Sequence, residues 1–120
     1  MAKKILVIDD DLTNVKVVQM RLEASGFQVV IAADGDEGLL KAKMEKPDLI
    51  VLDIQMPRMN GYTFMMEKDK YPEYVSIPVI VLTAYGEMEP VFKRHGIKAY
   101  LLKPLKLQEL LDKVQETIGV

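Results

Sequence analysis

Leu49-Ile50-Val51-Leu52-Asp53 decides the fold: four consecutive aliphatic residues, ending at a carboxylate. A strand with one wet face alternates apolar and polar residues, whereas one covered on both faces is apolar at every position. The same signature recurs at Ile5-Leu6-Val7-Ile8, which runs into Asp9-Asp10-Asp11, and at Val79-Ile80-Val81-Leu82, which ends at Thr83. Val29-Val30-Ile31 and Ala99-Tyr100-Leu101-Leu102 complete five predicted strands, the last ending at Lys103-Pro104.

Helical patterns fill the intervals. Val15, Val18 and Leu22 recur at helical spacing, with Asp11 or Thr13 as the cap and Ser25-Gly26 as the stop. Leu39 to Lys46 predicts a second helix, stopped by Pro47, and about Tyr62 to Lys70 a third, after the Pro57 and Asn60-Gly61 loop. Gly86 to His95 is assigned to a fourth helix, with Pro90 in its first turn or at a bend. Leu107, Leu110, Leu111, Val114 and Ile118 form the apolar stripe of a fifth. Alternation of this kind predicts an α/β fold: a doubly wound parallel sheet with helices on both faces. Ligands of such sheets sit beyond the carboxyl ends of the strands.

Composition narrows the function classes. The 120 residues suit one domain, 1–120, and 49% of them are hydrophobic, enough for a packed core. A net charge of −2 gives no electrostatic case for nucleic acid or an anionic membrane. Absence of cysteine excludes disulfides and thiolate metal sites. The N-terminal Met-Ala-Lys-Lys is followed by a run of only four apolar residues, Ile5 to Ile8, too short for a signal peptide or membrane span, so a cytoplasmic protein is expected.

The strand ends collect the chemistry. Asp9 and Asp10 come from the first strand, Asp53 from the third, Thr83 from the fourth and Lys103 from the fifth. Two carboxylates about 5 Å apart repel by about 3 kcal/mol at an effective dielectric of about 20. Three of them against one lysine call for raised carboxyl pKa values or a bound cation. Oxygen donors without histidine or cysteine select Mg²⁺ or a similar ion, with Mn²⁺ as the alternative, over zinc. Metal and lysine together would neutralise a transferring phosphoryl group, with an aspartate as its acceptor.

The chain resembles the response-regulator receiver domains of two-component signalling. The resemblance rests on Ile5-Leu6-Val7-Ile8-Asp9-Asp10, Asp48 through Pro57, Asn60-Gly61, Val81-Leu82-Thr83-Ala84 and Tyr100-Leu101-Leu102-Lys103-Pro104, in that order along essentially the whole chain. It implies strand order 2-1-3-4-5, which the chemotaxis member of the group exemplifies. It implies that Asp53 is the phosphoacceptor, that Asp10, Asp53 and the Gln55 backbone carbonyl bind Mg²⁺, and that Asp9 acts mainly through a metal-bound water. Lys103 would pair with the phosphoryl group, its bond to Pro104 being cis. Thr83 and Tyr100 would form the switch pair, the hydroxyl moving to the phosphoryl oxygens and the ring turning inward. The phosphodonor would be a sensor histidine kinase or a histidine phosphotransfer protein, and the output a changed affinity for a downstream protein target. The chain would be a signalling switch, catalysing only its own aspartyl phosphorylation and dephosphorylation.

Two departures from the family pattern stand out. The interval from Thr83 to Lys103 is about two residues short, all within the fourth helix, and bulky Gln55 and Tyr85 flank the water path, which predicts slow self-dephosphorylation. Three other functions bear on the same residues. A flavin or nucleotide site is disfavoured because Asp9-Asp10-Asp11 would repel phosphate and no GxGxxG is present. An aspartyl-nucleophile phosphatase would need an acid where Gln55 stands. A phosphorylation-independent interaction module is the remaining alternative.

Overall fold

The computed structural model describes residues 2–54, 61–83 and 97–119. Five strands, β1 (Lys4–Ile8), β2 (Gln28–Ala32), β3 (Leu49–Asp53), β4 (Val79–Thr83) and β5 (Ala99–Leu102), form one sheet in the order β2-β1-β3-β4-β5. Every neighbouring pair is parallel. The described helices are α1 (Leu12–Ala24), α2 (Gly35–Glu45), α3 (Gly61–Asp69), a short α4 (Pro72–Val75) and α5 (Leu107–Ile118). The expected Gly86 to His95 helix, with Pro90, lies outside the described residues, as do Gln55, Pro57, Asn60 and Tyr85.

The unbroken apolar runs are explained by the two cores they serve. Ile5, Val7, Leu49, Val51, Ile80 and Leu82 pack on one face with Val15, Val18 and Leu22 of α1 and Leu110, Leu111 and Val114 of α5. Leu6, Ile8, Ile50, Leu52, Val79 and Val81 pack on the other with Ala42 of α2 and Phe64 and Met65 of α3. Successive residues of a strand point to opposite faces, so each central strand feeds both cores. Each fully buried aliphatic side chain contributes roughly 1.5–3 kcal/mol.

Helix α2 begins earlier than the Leu39 start expected from hydrophobic spacing. Asp34 caps it, accepting from the Glu37 amide at 2.9 Å, while Glu37 accepts from the Ala33 amide at 3.0 Å. Its first turns face the sheet with glycine rather than with large apolar side chains. A Cβ on Gly38 would stand 2.5 Å from Ile8 Cδ1 and 3.3 Å from Phe64 Cε2, so glycine lets α2 close on β1. The helix ends at Glu45 and is capped by Lys46, just before Pro47, with a left-handed φ of 47°.

Candidate functional site

Register alone aligns the rim residues. Ile8 pairs with Leu52, so Asp9 and Asp53 stand side by side one step further on. Asp53 pairs with Leu82 and Thr83 with Leu102, which brings Thr83 and Lys103 to the same edge. The Lys103 amide donates to the Thr83 carbonyl at 2.7 Å, carrying the ladder one step beyond β5. The Lys103–Pro104 peptide bond is cis, as expected.

Side chains complete the cluster. One carboxylate oxygen from each of Asp9, Asp10 and Asp53 lies within 4.8 Å of the others. Lys103 Nζ donates to Asp53 Oδ2 at 2.9 Å. Asp9 and Asp53 are 4% and 2% exposed, whereas Asp10 faces solvent. The three acids thus differ in setting: two form the floor and one the lip. Three hard oxygen donors at this spacing, without nitrogen or sulfur ligands among them, fit a divalent ion that keeps several waters.

The electrostatics follow from burial. Loss of solvent pushes the Asp9 carboxyl up to about 6, against an ordinary 3.8. The Asp11 amide, donating to Asp9 Oδ1 at 2.9 Å, opposes this, while the neighbouring Asp53 charge reinforces it. Burial pulls Lys103 down, but its hydrogen bond and attraction to Asp53, helped by Asp9 and Asp11, outweigh that and leave it raised. The site therefore holds its lysine charged and has one carboxyl that is reluctant to ionise.

Asp11 is the N-cap of α1, accepting from the Thr13 and Asn14 amides at 3.0 and 3.2 Å. Of the two caps the sequence offers, Asp11 and Thr13, it is Asp11 that serves. Thr83 is fully buried at the end of β4. Tyr100 is half-buried and packs with the α2/α3 core, opposite the face that Leu101 shares with α5.

Spacing did not reveal the cleft beside the rim. About 350 Å³ in volume, it runs between α1 and the segment after β5, and its walls include Asp9, Asn14, Val17, Lys103 and Leu105. Asn14 lines this cleft with Asp9 and Lys103, and nothing in the sequence patterns marks it. It stands three residues after the cap, one turn into α1 and facing back toward the strand ends. Among the described residues no helix is long and apolar enough to cross a membrane.

Residues 5–115 match the family model described as the response regulator receiver domain. The chain is 39% identical over 117 residues to the alkaline phosphatase synthesis transcriptional regulatory protein PhoP of Bacillus subtilis, covering 96% of this chain and 48% of PhoP. It is 36% identical over 118 residues to the protein PilH of Pseudomonas aeruginosa, covering 97% of this chain and 98% of PilH. The chain thus spans about half the length of the first curated relatives it matches, and nearly all of PilH. Among solved structures, the receiver domain of a Pseudomonas aeruginosa sensor histidine kinase, with magnesium ion coordinated in its active-site cleft, superposes with a TM-score of 0.89. Identity to it is 29%, with 100% of both chains covered.

Proposed function

The chain belongs to the response regulator receiver family, and from that premise we propose that it is a phosphorylation switch in which Asp53 accepts a phosphoryl group in a Mg²⁺-dependent reaction. The convergence of Asp9, Asp10 and Asp53 on one point, with Lys103 on Asp53, carries the reading. The magnesium in the kinase receiver structure supports the choice of ion. Asp9, Asp10 and Asp53 would hold Mg²⁺, together with the Gln55 carbonyl; Mn²⁺ would serve as well. The ion would supply charge neutralisation at the phosphoryl oxygens.

The chain's own residues divide the remaining work. Asp53 is the nucleophile: its oxygen forms the new bond to phosphorus as the bond to the donor nitrogen breaks, and the leaving imidazole keeps the electron pair and takes a proton. Lys103 moves its ammonium from Asp53 to a phosphoryl oxygen, keeping a positive partner for the added charge. Thr83 donates its hydroxyl to another phosphoryl oxygen, and Tyr100 turns inward behind it, altering the surface around β5.

A phosphohistidine on a sensor histidine kinase or a phosphotransfer protein is the donor, and a downstream protein is the target of the altered surface. The switch catalyses only its own phosphorylation and dephosphorylation, works in the cytoplasm, and uses residues 1–120 as one domain. It does so without contacting nucleic acid or membrane.

Intact mass after incubation with a small-molecule phosphodonor tests the chemistry. One phosphoryl group is expected on the wild type with Mg²⁺, none without Mg²⁺, and none on Asp53→Asn. No adduct on the wild type, with beryllofluoride also failing to bind, would overturn the proposal in favour of a phosphorylation-independent interaction module.

A further inference from the structure

Granted that the rim holds Mg²⁺, as proposed above, we infer that Asp11 is a positioning residue for the ion: it fixes Asp9, and through Asp9 sets how tightly the site binds. Three acids in a row leave β1, and Asp9 and Asp10 are the two that join Asp53 in the cluster. The Asp11 carboxylate turns instead onto α1, accepting from the Thr13 and Asn14 amides, and its carbonyl accepts from the Val15 amide at 2.9 Å. The Asp11 amide is left aimed at the rim, where it donates to Asp9 Oδ1 at 2.9 Å.

Asp9 is thereby held twice. Its own amide donates to the Ala32 carbonyl at 3.1 Å, which ties its backbone to the end of β2, and the Asp11 amide ties its side chain to the start of α1. A carboxylate fixed in advance has less freedom to lose when an ion binds, and a donor amide favours its ionised form, the form that takes a cation. Removing a group that holds a metal ligand in this way typically weakens metal affinity even though the group never touches the ion.

What Asp11 transmits is position and not charge. Asp11 faces solvent, where salt screens it, and Asn or Ser would cap α1 about as well. Losing the cap frees the first turn of α1, and with it the direction of the amide that holds Asp9.

Calorimetric titration of the full chain with MgCl₂, at an ionic strength of about 0.15 M, tests the role of Asp11. Asp11→Ala should weaken Mg²⁺ binding about tenfold. Asp11→Asn and Asp11→Ser, which keep the cap, should stay within about threefold of the wild type. Val114→Ala, in the core on α5, controls for stability: it should lower the melting temperature and leave the affinity unchanged. In an Asp9→Ala background, Asp11→Ala should add less than about twofold, because the residue it acts through is gone. Four results would overturn the role of Asp11: Asp11→Ala binding like the wild type, Asp11→Asn binding as weakly as Asp11→Ala, Val114→Ala losing as much affinity, or the full loss persisting without the Asp9 side chain. A wild type that binds no Mg²⁺ would overturn the metal-binding reading itself.

Discussion

Lys103–Asp53 at the carboxyl end of the sheet and Lys4–Glu45 at the amino end are ion pairs of nearly equal length, 2.9 and 3.0 Å. Their surroundings differ. Asp53 is 3% exposed at its side chain and stands beside two more carboxylates, whereas Glu45 is 35% exposed. Lys4 Nζ also lies 3.3 Å from the Glu45 carbonyl, and its backbone amide donates to Asp48 Oδ2 at 2.8 Å. It fastens the end of α2 to β1. Lys103 instead compensates a charge excess. Equal distances thus hide a fastening in one place and a poised chemical group in the other, and burial of the anion separates them.

The largest break in this comparison is Lys103→Met. It strands Asp53 in a buried acidic site and should cost about 3 kcal/mol in metal-free buffer at neutral pH, measured by denaturant unfolding. Saturating Mg²⁺ sharpens the contrast from the other side. An ion that binds only the folded state at a hundred times its dissociation constant should add about 2.7 kcal/mol to the wild type, and far less to Asp10→Asn.

Asp9→Asn comes next. The folded-state value of about 6 exceeds the ordinary 3.8, so the native protein binds this proton more tightly than the unfolded chain does. Stability from this group is therefore full below the lower value, falls as pH rises through the interval, and is lost above the upper one. Asparagine still accepts from the Asp11 amide but carries no charge. The metal-free variant should gain about 1–2 kcal/mol at pH 7 and nothing near pH 3.5. A wild-type advantage at pH 7 would contradict the sign. Lys4→Met should cost less than about 1 kcal/mol at any pH, as expected for a partly exposed pair.

The site was legible because the unbroken aliphatic runs of β1, β3 and β4 stop at polar residues. The strand limits are therefore also the addresses of Asp9, Asp53 and Thr83. Strand order came from the family resemblance, since apolar runs do not say which strands are neighbours. The start of α2 was missed because Gly35 and Gly38, not large aliphatics, face inward there. Helix α4 is four residues long and gives no periodicity to detect. Lys68 departs from the usual pattern in the opposite sense. It is 2% exposed on α3, lowered in pKa by burial despite Asp69, where a helical lysine ordinarily faces water. The cleft walls, Asn14 with Leu105, are 91 positions apart in a chain whose spacing carries no sign of their meeting.

The hydrogen bond from the Asp11 amide to Asp9 joins the acidic floor to the first turn of α1, because the Asp11 carboxylate in turn holds the Thr13 and Asn14 amides. A proton arriving at the rim, or the proposed metal ion or phosphoryl oxygen, would change the polarisation of that chain of bonds. Backbone resonances of Thr13 and Asn14 thus form a native gauge of occupancy, readable by NMR in unlabelled surroundings and without a dye, a tag or an engineered residue in the cleft.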